Sequence, residues 1–232
     1  MTPTLLRKFS GLVDLGAPDR AALQSLTYEV ATVERHRDIL RVGDRPTFVY
    51  VILEGWAARY SLRKDGSRRI TGFLLPGDFC GIHAVTSSPM DHALIALTTC
   101  KVGKIAGSEM DRLIEAAPVI VKALWRAKLT EEAILRMWLL NSEDAQRSLG
   151  HLLCELHARA HHAGLVEKGM CDVPLTQQDI GDALGITAVH TNRMLQQLRE
   201  LRLVEFSHSK LMLPDVEALR RASSFDPAYL HM

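Results

Sequence analysis

The chain lacks the features that mark membrane, secreted and disulfide-rich proteins. No apolar run in its 232 residues approaches the roughly 18 residues that a membrane-spanning helix needs. The first ten residues contain no apolar segment of the kind found in export signals. The four cysteines form no C-x-x-C pair, which is typical of reduced thiols. We therefore expect a cytoplasmic protein that does not contact a membrane.

Motifs for catalysis are also absent. The sequence contains no nucleophile elbow, no metalloprotease helix and no phosphate-binding loop. We predict that the protein is not an enzyme and holds no metal. The net charge of +1 gives no electrostatic argument for nucleic acid, and from Asn141 onward nine Lys and Arg stand against twelve Asp and Glu. Any basic surface for DNA must therefore be local.

A helix-turn-helix pattern spans residues 176–199. Thr176 and Thr187 stand where N-cap hydroxyls belong, and Asp179 approximates a capping box with Thr176. Gly185 lies at the sharp turn between the helices, where a residue without a Cβ is favoured. The pattern predicts DNA binding, with an ordinary packed helix pair as the alternative. The second helix has one predicted core face, formed by Thr191, Met194, Leu195 and Leu198.

The opposite face of the second helix suits a major groove. Arg side chains bind guanine O6 and N7, Asn side chains bind adenine, and small apolar side chains meet thymine methyl groups. Residues 203–213 add two short apolar runs around a polar turn, which predicts a hairpin wing with Lys210 near its tip. The candidate DNA contacts are Thr176, Gln177, Thr187, Ala188, Val189, His190, Asn192, Arg193, Gln196 and Lys210.

Glycines punctuate the N-terminal half at a regular spacing. Gly43, Gly55, Gly66 and Gly77 lie 11 or 12 residues apart. Short strands at this spacing predict an antiparallel roll, and we choose a small jelly roll. The predicted strands are residues 48–53, 57–62, 69–75 and 93–101.

From Ser108 the apolar period changes to that of a helix. Residues 109–116 predict a short helix, and a longer one begins near Pro118 and runs to about Leu140. Its apolar stripe resembles a coiled-coil seam and predicts a homodimer, with packing on its own roll as the alternative. The predicted dimerisation residues are Ile120, Leu124, Ala127, Ile134 and Trp138.

Together these elements predict an α+β chain in three parts. Residues 1–107 form an antiparallel β-roll sensor domain with a short N-terminal helical segment. Residues 108–141 form a connector and the long dimerisation helix, and residues 142–232 form a C-terminal winged helix-turn-helix.

Four motifs follow one another along the chain: Gly43-Asp44, Leu53-Glu54-Gly55, the Leu-Pro-Gly-Asp-Phe-Cys-Gly run from Leu75 to Gly81, and the helix-turn-helix from Thr176. With these motifs and this order of parts, the chain resembles the CRP/FNR family of bacterial transcription regulators over nearly its whole length. The resemblance implies a cyclic-nucleotide-binding fold for the roll, a homodimer through the long helix, a palindromic site on double-stranded DNA and RNA polymerase as a partner.

The chain departs from the cAMP-binding members of that family. By this resemblance, Ile82 stands where those members have the Glu that bonds the ribose, and His92 and Ala93 stand where an Arg-Ser pair holds the phosphate. Leu135 and Arg136 stand where a Thr-Ser pair recognises the adenine. A buried phosphate without its arginine is disfavoured, because a desolvated charge needs a partner. We therefore expect no response to cAMP.

Other branches of the family suggest other sensors. No cysteine precedes Cys80, which excludes the N-terminal iron–sulfur cluster of the oxygen-sensing branch. His83 lies near the position of the haem-binding His of the carbon-monoxide-sensing branch, with a hydrogen-bonded core or surface His as the alternative. Cys171 lies just before the helix-turn-helix, where oxidation would disturb DNA binding, with an inert thiol as the alternative. We predict no cofactor, with haem as the minor alternative.

We predict a sequence-specific transcription regulator that binds a palindromic operator as a homodimer without needing cAMP. Arg193 matches the family arginine, but Val189 stands where a Glu often contacts the bases, so the operator need not be the usual family half-site. One alternative is a ligand-independent regulator controlled by its own abundance. The other is a haem, small-molecule or redox sensor that acts through protein contacts rather than DNA.

Overall fold

Short strands alternate with glycine turns in the first half of the chain, and helices dominate the second half. The structure is a computed structural model that describes residues 3–81, 88–167, 169–207 and 210–231. The chain divides into two compact units. The first unit comprises Met1–Ser61 and Phe73–Leu129, and the second comprises Leu62–Gly72 and Thr130–Met232.

Two antiparallel four-stranded sheets follow the N-terminal helices α1 (Pro3–Leu12) and α2 (Ala17–Ser25). The strand order is β1-β8-β3-β6 in one sheet and β2-β7-β4-β5 in the other. The strands are β1 (Glu29–Val33), β2 (Asp38–Leu40), β3 (Phe48–Glu54), β4 (Ala57–Leu62), β5 (Arg68–Leu74), β6 (Phe79–Cys80), β7 (Ala93–Ala96) and β8 (Cys100–Ala106).

A core cluster in the first unit joins the helices to the first of these sheets. Two helices follow the strands, α3 (Gly107–Ala116) and α4 (Val119–Leu140). Leu5 of α1, Val51 of β3 and Ile120 of α4 are all fully buried in this cluster. The rings of Phe9 and Phe79 meet edge to face, with centroids 5.3 Å apart. Burial of these apolar side chains is the main favourable term for the unit.

The second unit is built around α5 (Ala145–His162), which is buried along much of its length. Its sheet has the strand order β11-β12-β10-β9. The other elements are β9 (Val166–Glu167), β10 (Met170–Asp172), α6 (Gln177–Leu184), α7 (Ala188–Glu200), β11 (Glu205–Ser207), β12 (Lys210–Met212), α8 (Val216–Ser223) and a 3₁₀ helix (Pro227–Leu230).

A fully buried carboxylate joins the C-terminal part of α4 to α5. Glu155 accepts a hydrogen bond from Trp138 Nε1 at 2.7 Å and pairs with Arg159 at 3.0 Å. Burial raises the pKa of Glu155. Because a buried carboxylate without partners is costly, both donors stabilise Glu155, and the bond from Nε1 holds the Trp138 side chain against α5.

The predicted α+β fold is confirmed. The predicted strand at residues 93–101 is two strands, β7 and β8, because the chain turns between them and Leu97 N and Thr98 N donate to Trp56 O. The short strands β1, β2 and β6 were not predicted, since two to five residues show too little alternation. In the described ranges, no helix is long and apolar enough to cross a membrane.

Candidate DNA-binding surface

Helix α6 begins at a reciprocal cap. Thr176 Oγ1 accepts a hydrogen bond from Asp179 N at 3.0 Å, and Asp179 Oδ2 accepts one from Thr176 N at 3.0 Å. These bonds satisfy backbone donors that a helix start leaves unpaired. The predicted capping box is therefore present in the structure, and it fixes where α6 starts.

The turn between α6 and α7 depends on two glycines. Gly185 ends α6 with a φ of 77°, in the left-handed region that favours glycine. Gly185 N and Ile186 N both donate to Gly181 O, at 2.7 and 3.0 Å. A Cβ on Gly181 would lie only 2.7 Å from Ile186 O, so the turn can close this tightly only when residue 181 has no side chain. The role of Gly181 was missed by the sequence analysis.

Helix α7 has one buried and one exposed face, as predicted. Its Thr187 cap accepts a hydrogen bond from His190 N at 3.2 Å. Val189 is 81% exposed, although its side chain is apolar. The buried face consists of Thr191, Met194, Leu195 and Leu198. Among the predicted contact residues of α7 and its cap, Thr187, Val189, Arg193 and Gln196 are exposed and Ala188, His190 and Asn192 are half-buried.

Hydrogen bonds orient two of the polar side chains on this surface. Gln177 Nε2 donates to Asn192 Oδ1 at 3.2 Å, which directs the Asn192 amide nitrogen away from Gln177. Arg193 Nη2 lies 2.9 Å from His190 Nδ1. Since a guanidinium only donates, His190 Nδ1 must accept in this contact, and the His190 proton then sits on Nε2. The surface therefore presents donors from Asn192, Arg193 and His190.

The wing is present as a hairpin of β11 and β12. Lys210 is exposed at the start of β12 and pairs in register with Ser207. The Arg199 guanidinium lies 5.6 Å from the centre of the Phe206 ring, which connects α7 to the wing. The rest of the predicted wing tip, residues 208–209, lies outside the described residues.

Cys171 is placed where it cannot act as an exposed redox sensor. It lies in β10, paired with Leu211 of the wing, and is only 1% exposed. Burial raises the pKa of the Cys171 thiol to about 11, so the reactive thiolate is disfavoured. The burial of Cys171 in the second unit therefore contradicts the hypothesis that its oxidation controls DNA binding.

An arginine outside the helix-turn-helix neutralises two of its carboxylates. Arg68, in the 62–72 segment of the second unit, donates to Asp179 Oδ1 and to Asp182 Oδ2, each at 2.6 Å. Both pairs are largely buried. No local pattern predicts this contact, because the partners lie more than 100 residues apart in the chain. The two ion pairs neutralise negative charge beside α7. They offset part of the excess of Asp and Glu over Lys and Arg in the C-terminal part of the chain, which by itself disfavours DNA binding.

The structure contradicts the predicted dimerisation seam on α4 at two of its five residues, and the other three are half-buried. Ile120 and Ile134 are buried within the chain, and Trp138 is held by Glu155. Leu124 and Ala127 pack partly against the core of the first unit. These side chains already have partners, so they offer little surface to a second copy.

A different stripe of α4 is exposed instead. At 100° per residue, it lies roughly half a turn around the helix from the predicted seam. Within it, Glu132 and Arg136 form an ion pair. The exposed apolar side chains of this stripe are Trp125 (67%), Leu129 (49%), Leu139 (74%) and Leu140 (71%).

Comparison with known proteins identifies the family. Residues 30–117 match the cyclic nucleotide-binding domain, and residues 148–222 match the Crp-like helix-turn-helix domain. The nitrogen fixation regulation protein FixK of Bradyrhizobium diazoefficiens is 31% identical over 188 residues, which cover 77% of this chain and 76% of FixK. The chain belongs to the CRP/FNR family of transcription regulators. It is a DNA-binding regulator rather than an enzyme, as predicted.

Further CRP/FNR proteins agree with this assignment. The fumarate and nitrate reduction regulatory protein of Vibrio cholerae is 25% identical over 78% of this chain and 76% of its own length. The solved structure of FixK2 from Bradyrhizobium japonicum superposes with a TM-score of 0.74 at 24% identity, covering 84% of this chain and 97% of that one. This likeness supports the observed fold.

The described residues do not fit the cyclic nucleotide of the cAMP-binding CRP/FNR members. His92, at the expected phosphate position, has its Nδ1 2.6 Å from the Asp91 carboxylate, so a negative group already occupies that contact. Ala93 is buried in β7 and has no hydroxyl. Ile82 and His83 lie outside the described residues. In the part of the chain that is described, no three His, Cys, Asp or Glu side chains are grouped to hold a metal.

Proposed function

We propose that this regulator binds a palindromic operator as a homodimer, with α7 of each copy in a major groove, and acts in the cytoplasm on transcription by RNA polymerase. The observation that carries the proposal is the exposed face of α7, where Asn192 and Arg193 lie beside the solvent-facing Val189. Asn192 can bind adenine, Arg193 can bind guanine, and Val189 can contact a thymine methyl group.

The hydrogen bonds on this face support a defined reading geometry. Gln177 holds the Asn192 amide, so less side-chain freedom is lost when Asn192 meets a base. Arg193 is exposed, and among the described residues its side chain bonds to His190. It can leave that contact and donate two hydrogen bonds to guanine O6 and N7.

We expect Arg193→Ala to change which operator the protein selects. Loss of a bidentate contact should cost about 1 to 3 kcal/mol per half-site and relax the preference at one guanine position. Selection of bound sequences from a random DNA pool, repeated with the variant, measures both effects. An unchanged consensus would show that Arg193 does not read a base.

Lys210→Ala is the matched control for that experiment. Lys210 is exposed on the wing, and we expect it to contact a phosphate rather than to read a base. Its loss should weaken all sequences alike and reduce the slope of log affinity against log salt by about one unit. The consensus should stay as in the unmodified protein.

The homodimer is supported by the exposed stripe of α4. Four large apolar side chains on one helix face, with an ion pair between them, have the composition of a helix-to-helix interface. A two-fold dimer places two α7 helices against two half-sites, which is why a palindrome is expected.

We also propose that operator binding is independent of cAMP. The Asp91–His92 contact and the buried Ala93 leave the cyclic phosphate without an arginine at the family position. Calorimetry should show no saturable heat with millimolar cAMP, and operator affinity should change less than twofold. The same sample, titrated with operator, serves as the activity control. Saturable binding of cAMP at micromolar concentration would contradict the proposal.

A further inference from the structure

A cavity of about 450 Å³ lies in the second unit, apart from the exposed face of α7. It is bounded by the C-terminal end of α5, by α8 and by the 3₁₀ helix. One wall carries His157, His161, His162 and Arg220, and apolar side chains such as Val216 and Leu230 line the rest. Its volume falls within the range of small-molecule sites, about 300 to 1,000 Å³.

His157 Nε2 and Arg220 Nε are among the polar atoms of this wall, and both are buried without a hydrogen-bond partner among the described residues. The other ring nitrogen of His157 is bonded to the backbone of Gly169, and Arg220 Nη1 is bonded to Glu217 at 2.7 Å. Each side chain thus has one nitrogen that is hydrogen-bonded and another that has no partner among the described residues. Buried polar atoms rarely remain unpaired, because leaving them so costs free energy.

The titratable side chains that line the cavity are all basic. His161 on α5 and Arg220 on α8 both act on His157, and no Asp or Glu is among the described residues that line the cavity. Glu217 pairs with Arg220 from outside this lining. Burial, and then the charges of His161 and Arg220, lower the pKa of His157, which favours its neutral form. The lining therefore offers hydrogen-bond donors from three histidines and from Arg220, whose charge is paired with Glu217 outside the lining.

We propose that this cavity binds a small organic oxyanion, a phosphate or a carboxylate on a compact apolar body. The oxyanion would accept from the Arg220 guanidinium and from the His157 and His161 imidazoles, and the apolar body would lie against Val216 and Leu230. This site is separate from the DNA-reading residues, so it holds or fails independently of the proposed function.

The test is NMR observation of the histidine rings of the full chain during titration. The probes are inorganic phosphate, methyl phosphate and propionate, each against chloride at equal ionic strength. We expect the resonances of the His157 ring to shift saturably. The affinity should be higher for the oxyanion that fits the site than for chloride. Bound oxyanion favours protonated His157, whose pKa is lowered in the free protein, so propionate, which stays ionised over this range, should bind more strongly as the pH falls from 8 to 6. Comparison of the affinities for the phosphates and for propionate identifies whether the site prefers a phosphate or a carboxylate.

Variants separate a built site from general charge attraction. Arg220→Gln and His157→Gln should each weaken binding by about tenfold or more, the effect of losing a charge-assisted hydrogen bond. Arg221→Gln is the control, because Arg221 is exposed on the same helix and does not line the cavity. Two variants are used in case one does not fold, which circular dichroism checks.

Three outcomes would overturn the proposal. They are shifts that chloride reproduces, no saturation with any probe, or equal weakening by Arg221→Gln and Arg220→Gln. Operator affinity is measured separately on the same samples. A chain that binds operator but no oxyanion rejects this site and leaves the proposed function standing.

Discussion

Trp125→Glu combined with Leu139→Glu should give a monomer that no longer binds its operator tightly. Both side chains are largely exposed on α4, so the change removes apolar contact between copies and places four carboxylates in one interface. Operator affinity should fall by about 10²- to 10⁴-fold, the range by which two linked binding events exceed one. Sedimentation at micromolar concentration and mobility shift on the selected operator measure the two effects.

The control replaces exposed apolar residues elsewhere. Val30 and Val42 are 57% and 61% exposed in the first unit, and Val30→Glu with Val42→Glu should leave both mass and operator affinity unchanged. If the unmodified chain sediments as a monomer, or if the α4 variant remains a dimer, the stripe is not the interface.

Gly181→Ala should destabilise the second unit even though alanine is the better helix former. In an open helix, alanine would gain about 0.5 to 1 kcal/mol over glycine. Here the new Cβ would lie 2.7 Å from Ile186 O and 3.2 Å from Thr191 Oγ1, and the first of these is backbone. Moving that backbone should cost about 1 to 3 kcal/mol, as overpacked cores do. The α6–α7 turn would open and operator affinity would fall with it.

Gly107→Ala provides the matched change. Gly107 is the first residue of α3, its φ is not positive, and a Cβ there meets nothing within 4 Å. This variant should be as stable as the unmodified chain or slightly more so. Calorimetry gives the stability of each variant, and amide exchange at α6 and α7 locates the loss. The close contact would not explain the loss of stability if amide exchange at α6 and α7 became faster in the Gly107 variant, or if it did not become faster in the Gly181 variant.

Features that depend on neighbours within a few residues were predictable. The caps at Thr176 and Thr187 and the turn at Gly185 follow from local backbone needs, and the structure contains all three. The buried face of α7 also followed, because its apolar residues recur at one helical spacing. These predictions needed no knowledge of what packs against the helices.

The face that α4 presents was not predictable in the same way. Both sides of this helix carry large apolar residues, so the periodicity alone does not say which side is inside. The choice depends on distant partners, such as Glu155 holding Trp138 and the roll burying Ile120. Arg68 is a second example, since its carboxylate partners are distant in sequence. Tertiary contacts of this kind leave no local pattern.

The burial of the thiols has a practical consequence for spectroscopy. Cys80, Cys100, Cys154 and Cys171 are each at most 3% exposed, and burial raises the pKa of Cys100, Cys154 and Cys171. Thiol-directed dyes react with exposed thiolate, so the native chain offers a nearly silent background for labelling. A single cysteine introduced at Val189, which is 81% exposed, would therefore accept a fluorophore at the centre of the reading surface without removal of any natural cysteine.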